Sequence, residues 1–111
     1  MGIQYWSQHI LLVSLPWELQ EREELQRVVE MVQEGGDCNV VVDFSSVDVA
    51  GGRTLTRLLE LRRLLQDRGR KLVLCGLAPA TRGVFTIARL DEVFDFVKDK
   101  FAALAHLQIL G

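Results

Sequence analysis

The stretch 43-DFSSVDVAGGRTLTRLLEL-61 decides the fold, because it joins a strand to a helix across a pair of glycines. Three consecutive valines, 40–42, precede it, and such a run is typical of a strand that is buried on both faces. After the glycines, one side of the chain shows helical spacing through Thr54, Leu55, Leu58, Leu61 and Leu65. The stretch therefore predicts a central strand over 39–46 and a helix over 52–68.

The chain before this stretch predicts more strand and one helix. Residues 3–15 are rich in β-branched and aromatic side chains, which favours two short strands or one bent strand, with the break at His9. Pro16 ends the extended segment and prepares a helix over 17–34, which stops at a glycine pair. The apolar face of this helix consists of Leu25, Val28, Val29 and Val32.

The chain after the central helix continues the alternation. Residues 71–77 predict a strand, a short helix runs from Pro79 to about Ala88, and residues 94–97 predict a last strand. Asp99 is expected to cap a final helix, whose predicted face consists of Phe101, Leu104, Ala105 and Gln108.

Strands that alternate with helices at this spacing indicate right-handed βα units. We therefore predict one α/β domain over residues 1–111, with a mixed sheet of four or five strands and about four helices. The helices are expected to cover one or both faces of the sheet.

Charge is segregated along a chain whose formal net charge is only −2. Residues 18–48 carry nine acidic and two basic side chains, whereas residues 53–82 carry eight basic and two acidic ones. No aromatic residues are interleaved with the basic ones as in a nucleic-acid site, so nucleic acid is not expected as a partner. The basic stretch is either a solvated face or a surface for an acidic protein partner.

Motifs for catalysis, metals and membranes are missing from the sequence. The glycines lack the spacing of a dinucleotide or phosphate-binding loop, and His9 and His106 have no further metal ligands at useful spacing. Cys38 and Cys75 predict two reduced thiols, which suits the cytoplasm. The start of the chain does not read as a signal peptide, and the apolar runs are too short to span a membrane. We expect a non-enzymatic protein without cofactor, metal or membrane insertion.

The chain resembles the STAS domain, the fold shared by bacterial anti-sigma factor antagonists and the cytoplasmic tails of sulfate transporters. The resemblance begins at 12-LVSLPWELQEREELQRVVEMV-32 and continues through 40-VVVDFSSVDVAGGRTLTRLLELRRLLQDRGRKLVLCGLAPATRGVFTIARLDEVFDFV-97. It implies the STAS fold over nearly the whole chain.

In the antagonists, the loop before the second helix carries Asp-Ser-Ser/Thr-Gly, and the resemblance implies that one serine there is phosphorylated by a partner kinase. In this chain the tetrad falls on Gly51-Gly52-Arg53-Thr54, and the two hydroxyl positions are occupied by Gly52 and Arg53. Phosphorylation at the usual site, Gly52, is therefore excluded. Thr54 and Thr56 are the nearest remaining hydroxyl candidates.

Three interpretations of this loop stay open. In the first, the loop is degenerate and only begins a helix. In the second, it is a constitutive protein-binding surface. In the third, its glycine N–H groups and an arginine bind an anion or a nucleotide phosphate. The resemblance implies a partner surface made of Asp48, Gly51, Gly52, Arg53, Thr54 and Arg57.

The resemblance implies a protein-interaction module of a bacterial regulatory system that controls transcription. Its partner would be an anti-sigma factor that is also a serine kinase, or a larger regulatory complex, with the chain itself a monomer or a homodimer. The alternatives are a STAS subunit of a lipid-transport ABC complex, or a nucleotide, anion or lipid-binding module.

The chain departs from the family pattern at two places. Trp17 lies in the turn before the first helix and is a candidate contact for a partner. Arg89-Leu90 stands where the resemblance implies Gly-Leu, which predicts a slightly longer third helix.

Overall fold

The computed structural model of the chain describes residues 2–16, 23–47 and 50–110. The elements, in chain order, are β1 (Ile3–Ser7), β2 (Ile10–Ser14), α1 (Glu23–Gln33), β3 (Asn39–Asp43), α2 (Gly52–Asp67), β4 (Leu72–Cys75), α3 (Pro79–Ile87), β5 (Asp95–Val97) and α4 (Lys100–Leu110). In these ranges no helix is both long and apolar enough to cross a membrane.

The five strands form one sheet in the order β1-β2-β3-β4-β5. β1 and β2 form an antiparallel hairpin, and β3, β4 and β5 each run parallel to the strand before them. This arrangement confirms the predicted α/β architecture with a mixed sheet. It also confirms the central, parallel position that the three valines of β3 indicate.

The hairpin resolves the alternative that the sequence left open at residues 3–15. Two separate strands are present, and His9 lies in the turn between them, where its N–H donates a hydrogen bond to Ser7 Oγ (3.2 Å). The register shifts between Tyr5 and Ser7, so Trp6 is the extra residue of a β-bulge.

The larger core lies on the face of the sheet that α1 and α2 cover. The apolar faces predicted for both helices are buried there, and Val40 and Val42 of β3 are fully buried against them. α1 is described only from residue 23, so the predicted start of this helix at residue 17 lies outside the described residues.

The opposite face of the sheet is covered by α4. Ala103, Leu104 and Leu107 pack on a second cluster that includes Val41 and Cys75. The face predicted for this helix was wrong except at Leu104: Phe101, Ala105 and Gln108 are exposed. The predicted cap is confirmed, because Asp99 Oδ1 accepts a hydrogen bond from the Ala102 N–H (2.8 Å).

Several boundaries differ from the prediction. β3 ends at Asp43 and not at residue 46, and β4 covers only Leu72–Cys75. The third helix is not extended, because α3 ends at Ile87 and Arg89 adopts the left-handed conformation (φ 63°) that terminates helices. Arg89 thus adopts a backbone geometry that glycine, the residue that the resemblance implies at this position, would adopt most easily.

Candidate functional site

The loop that connects β3 to α2 is anchored where it leaves the sheet. Asp43 Oδ1 accepts a hydrogen bond from the Ser45 N–H (3.0 Å), and the Phe44 N–H donates to the carbonyl of Cys75 (2.8 Å). The Phe44 side chain is fully buried, with its ring edge-to-face against Phe85 of α3 at 6.5 Å. The first residues of the loop are therefore held by the core.

The Asp43 carboxylate is part of this anchor, because it accepts hydrogen bonds from two neighbouring groups. The Cys75 thiol donates a long hydrogen bond to Asp43 Oδ1 (3.8 Å). Burial, and secondarily the Asp43 carboxylate, raises the pKa of the Cys75 thiol from 9.0 to about 12. A side chain at Gly76 (φ 71°) would place its Cβ 2.8 Å from the same oxygen, so only glycine fits beside it. Cys75 is thus a protonated core residue, consistent with the reduced thiol that the sequence predicts.

The last residue before the glycine pair is tied to α3. The Ala50 N–H donates a hydrogen bond to the Thr81 hydroxyl (3.2 Å), and both residues are fully buried. This hydrogen bond holds the end of the loop against α3, directly before α2 begins. The sequence analysis did not identify Thr81 as a site residue. Thirty-one positions separate the two residues, so no local pattern could have paired them.

α2 begins without a side-chain cap. Gly51 is its N-cap with an extended backbone (φ −105°, ψ −171°), and its carbonyl accepts the N–H of Leu55 (3.2 Å). A Cβ added at Gly51 or at Gly52 would meet no atom within 4 Å. Neither conformation nor space therefore requires glycine here, and the two residues leave the exposed start of the helix bare of side chains.

The first turns of α2 border an open surface depression of about 580 Å3, lined by Gly52, Arg53, Thr56 and Arg57. Arg57 Nη1 forms an ion pair with Glu60 Oε1 (3.0 Å), which holds its side chain along the helix. The Thr56 hydroxyl donates to the carbonyl of Gly52 (3.0 Å). The depression combines two guanidinium groups with a glycine backbone at a helix start, where the helix dipole favours negative charge.

The predicted site residues divide into three groups. Gly51, Gly52 and Arg53 are exposed, and the half-buried Arg57 lies beside them. Thr54 is only 8% exposed and belongs to the packing face of α2. Asp48 lies outside the described residues, as does Trp17. Of the hydroxyls suggested for phosphorylation, Thr56 is at the surface and Thr54 is not.

A second depression, of about 620 Å3, lies at the carboxyl ends of β4 and β5 and was not foreseen from the sequence. Its lining consists of Leu77, Pro79, Arg82, Phe96, Val97 and Lys98. The Arg82 guanidinium carbon is 3.8 Å from the centre of the Phe96 ring, which is a cation–π contact. Among the described residues, no group of three His, Cys, Asp or Glu side chains could hold a metal ion.

The fold is a five-stranded mixed sheet with helices on both faces, and α2 starts at an exposed loop. The sequence model of one protein family, the STAS domain, matches residues 7–103 of this chain. The chain therefore belongs to the STAS domain family, and the resemblance stated from the sequence is confirmed.

Solved structures agree with this assignment. The anti-sigma factor antagonist SpoIIAA in its unphosphorylated form has a TM-score of 0.82 and 14% identity, over 96% of this chain and 94% of that chain. A structure described as the molecular architecture of the stressosome, a signal integration and transduction hub, has a TM-score of 0.76 and 23% identity over 97% and 96%.

A sulfate transporter family protein from Wolinella succinogenes is also similar, with a TM-score of 0.68 and 22% identity over 92% of this chain and 85% of that chain. At such identities the likeness shows a shared fold. A search of curated protein sequences gave no match.

Proposed function

We propose that this STAS domain is a non-enzymatic protein-interaction module of a bacterial regulatory system, similar to an anti-sigma factor antagonist. Its partner-binding surface consists of residues 48–57, the loop before α2 and the first turns of that helix. The observation that carries the proposal is the bare, exposed start of α2 at Gly51 and Gly52, with Arg53 and Arg57 beside it. The module works in the cytoplasm and takes part in the control of transcription.

The site lacks the means for the usual phosphorylation switch. Neither Gly52 nor Arg53 has a hydroxyl, and Thr54 is packed against the core. Phosphorylation normally disrupts such a contact by adding almost two negative charges to it. Without an acceptor at this position, the interaction is constitutive unless Thr56 is modified.

The charge of the site selects the class of partner. Arg53 and Arg57 face the depression beside the helix start, and the helix dipole adds partial positive charge. An acidic surface on an anti-sigma factor, a serine kinase or a larger regulatory complex is complementary to this arrangement. Binding should weaken as salt concentration rises, because charges at an exposed site are screened.

The decisive experiment compares Gly52→Asp with Ala102→Asp. Both variants add a carboxylate to the exposed first turn of a helix, but Ala102 lies in α4 on the opposite face of the sheet. The tagged protein is first purified from its native cells, its bound proteins are identified by mass spectrometry, and affinity for the main partner is then measured by calorimetry.

We expect Gly52→Asp to weaken binding at least tenfold and Ala102→Asp to leave it unchanged. Equal affinities for both variants would move the interface away from α2. Gly52→Ser is the complementary variant, since the space around Gly52 accepts a side chain. Phosphorylation of this serine by a captured kinase would show that only the acceptor has been lost.

A second candidate function is a subunit of a transport complex, such as a lipid-transport ABC system, and the similarity to a sulfate transporter family protein favours it. The identity of the partner decides between the two. Capture of a transporter ATPase or permease in place of a kinase would support the transport subunit.

The depression at Arg53 also suits an anion, a nucleotide phosphate or the acidic group of a lipid. Calorimetry and thermal shift with GTP, ATP and fatty acids test this alternative. No heat and no shift at millimolar ligand would reject it.

A further inference from the structure

The carboxyl ends of the parallel strands lie at one edge of the sheet, and both surface depressions border this edge. β3, β4 and β5 run parallel, so the segments that lead from them into α2, α3 and α4 leave the sheet on the same side. The first depression, at Gly52 and Arg53, borders the start of α2, and the second borders the start of α3. Open α/β sheets usually bind their ligands at this edge. The proposed function uses only the first depression.

The second depression combines positive charge with an apolar floor. Its charged side chains are Arg82 of α3 and Lys98, which follows β5, and both are exposed. None of its described lining residues is acidic. The remaining lining residues are apolar: Leu77, Pro79, Phe96 and Val97. An acidic group that has an apolar neighbour is therefore complementary to this depression.

The Arg82 guanidinium is positioned in advance for such a group. Its carbon lies 3.8 Å from the centre of the Phe96 ring, and that ring packs edge-to-face on the fully buried Phe85 at 5.2 Å. Among the described residues, the guanidinium N–H groups of Arg82 have no hydrogen bond or ion pair. A guanidinium stacked on an aromatic ring keeps its N–H fork available for a carboxylate. Because the stacking already restricts the side chain, binding costs less conformational entropy.

The two depressions are joined by the buried hydrogen bond between the Ala50 N–H and the Thr81 hydroxyl (3.2 Å). Ala50 directly precedes the N-cap of α2, and Thr81 directly precedes Arg82. The Gly76 N–H also donates to the carbonyl of Lys98 (3.2 Å), which ties the segment after β5 to the segment after β4. The starts of α2 and α3 are thus held in a fixed relation, and one rigid partner surface can contact both.

We propose that the partner-binding surface extends from the start of α2 to the second depression, an inference that rests on the proposed function. The partner is a protein that presents two separate acidic groups. One of them meets the start of α2, and the other lies against Arg82 and Lys98. An apolar side chain beside the second acidic group packs on Leu77 and Val97.

The size of a specific complex supports this extension. Such a complex covers about 800 Å2 on each partner, so a contact centred on the start of α2 reaches neighbouring elements. α3 is tied to that start, and its depression has the same sign of charge. Arginine is also enriched among the residues that contribute most to binding in protein interfaces.

The test compares Arg82→Glu with Arg89→Glu. Both residues are exposed and both changes reverse one charge, but Arg89 follows the other end of α3. Affinity for the protein captured from the native cells is measured by calorimetry at two salt concentrations. We expect Arg82→Glu to weaken binding about tenfold and to reduce its salt dependence, because a charged contact is lost. Arg89→Glu should bind like the unchanged protein.

A second pair of variants leaves the contact between Arg82 and Phe96 intact. Lys98→Glu reverses a charge in the second depression, and Lys71→Glu is its control, since Lys71 is exposed and precedes β4 at the opposite edge of the sheet. We expect about threefold weaker binding for Lys98→Glu and no change for Lys71→Glu. Circular dichroism verifies that each variant is folded. If Arg82→Glu does not fold, the lysine pair decides.

The variant Gly52→Asp separates this inference from the proposed function. If Arg82→Glu and Lys98→Glu bind normally while Gly52→Asp binds weakly, the partner contacts α2 alone, and the extension is wrong although the proposed function stands. Normal binding by all three variants, or the capture of no partner, would contradict both. Equal losses for Arg82→Glu and Arg89→Glu would reflect net charge and would also overturn the extension.

Discussion

At the residue scale, three helices end in the same way with different residues. In each, a residue with a left-handed backbone follows the helix: Gly35 (φ 106°), Gly69 (φ 69°) and Arg89 (φ 63°). After α3, the Arg89 N–H donates to the carbonyl of Thr86 (3.0 Å) and the Leu90 N–H to that of Phe85 (2.8 Å), which is a Schellman motif. Arg89 adopts this conformation at a cost that glycine would not incur.

We predict that Arg89→Gly stabilises the protein by about 0.5–1 kcal/mol. Removing the side chain relieves a left-handed strain of about 1–2 kcal/mol, and the greater freedom of glycine in the unfolded chain offsets part of it. The midpoint of urea unfolding measures the change.

The matched control for Arg89→Gly is Gly69→Ala. Gly69 has nearly the same φ and open space around it, so alanine there introduces strain without a clash and should destabilise by about 1 kcal/mol. If both variants lower stability, the backbone of Arg89 is not strained as described.

The site residues show what sequence reasoning could reach at this scale. The glycine pair and the arginines could be located by their place at the start of a helix, and they do lie there, with only Arg57 half-buried. That Gly51 and Gly52 have no steric need to be glycine could not be read from the sequence, because it depends on which atoms lie around them. The same holds for the hydrogen bond from Ala50 to Thr81.

At the element scale, α4 shows where periodicity fails. Its sequence, KFAALAHLQIL, has apolar residues on all sides, so no single stripe stands out. The sheet selects the face: Ala103, Leu104 and Leu107 pack on it, whereas Phe101 remains 65% exposed. Packing against a partner element overrides a pattern that fits several faces equally well.

We predict that Leu107→Ala destabilises the protein by about 2–5 kcal/mol, because it opens a cavity in the core under α4. Phe101→Ala should cost at most about 1 kcal/mol, since this side chain mainly contributes an exposed contact with the Lys100 ammonium, 5.6 Å from its ring. Chemical denaturation of both variants gives the comparison. A larger loss for Phe101→Ala would support the face that the sequence first indicated.

At the scale of the whole molecule, one sheet joins two cores. Val41 of β3 faces the cluster under α4, while its neighbours Val40 and Val42 face the cluster under α1 and α2. The central strand therefore contributes side chains to both cores, and detachment of either helical layer exposes one of its two faces. This coupling favours cooperative unfolding of the domain.

We predict a single unfolding transition in urea, with the same midpoint by tryptophan fluorescence and by far-ultraviolet circular dichroism. In a Trp17→Phe background, fluorescence reports on the β1 region through Trp6 alone, and circular dichroism reports mainly on the helices. Two separate midpoints would mean that the hairpin or one helical layer unfolds independently of the rest.

The sequence by itself determined the order of strands and helices, the central position of β3, the buried faces of α1 and α2, and membership of the STAS domain family. These features rest on local periodicity and on spacing along the chain, which a sequence displays directly. Only the tertiary structure decided the packing face of α4, the anchor at Thr81 and the position of β1 at the edge of the sheet. Each of these depends on atoms that are distant in the chain, and their proximity exists only once the sheet has formed.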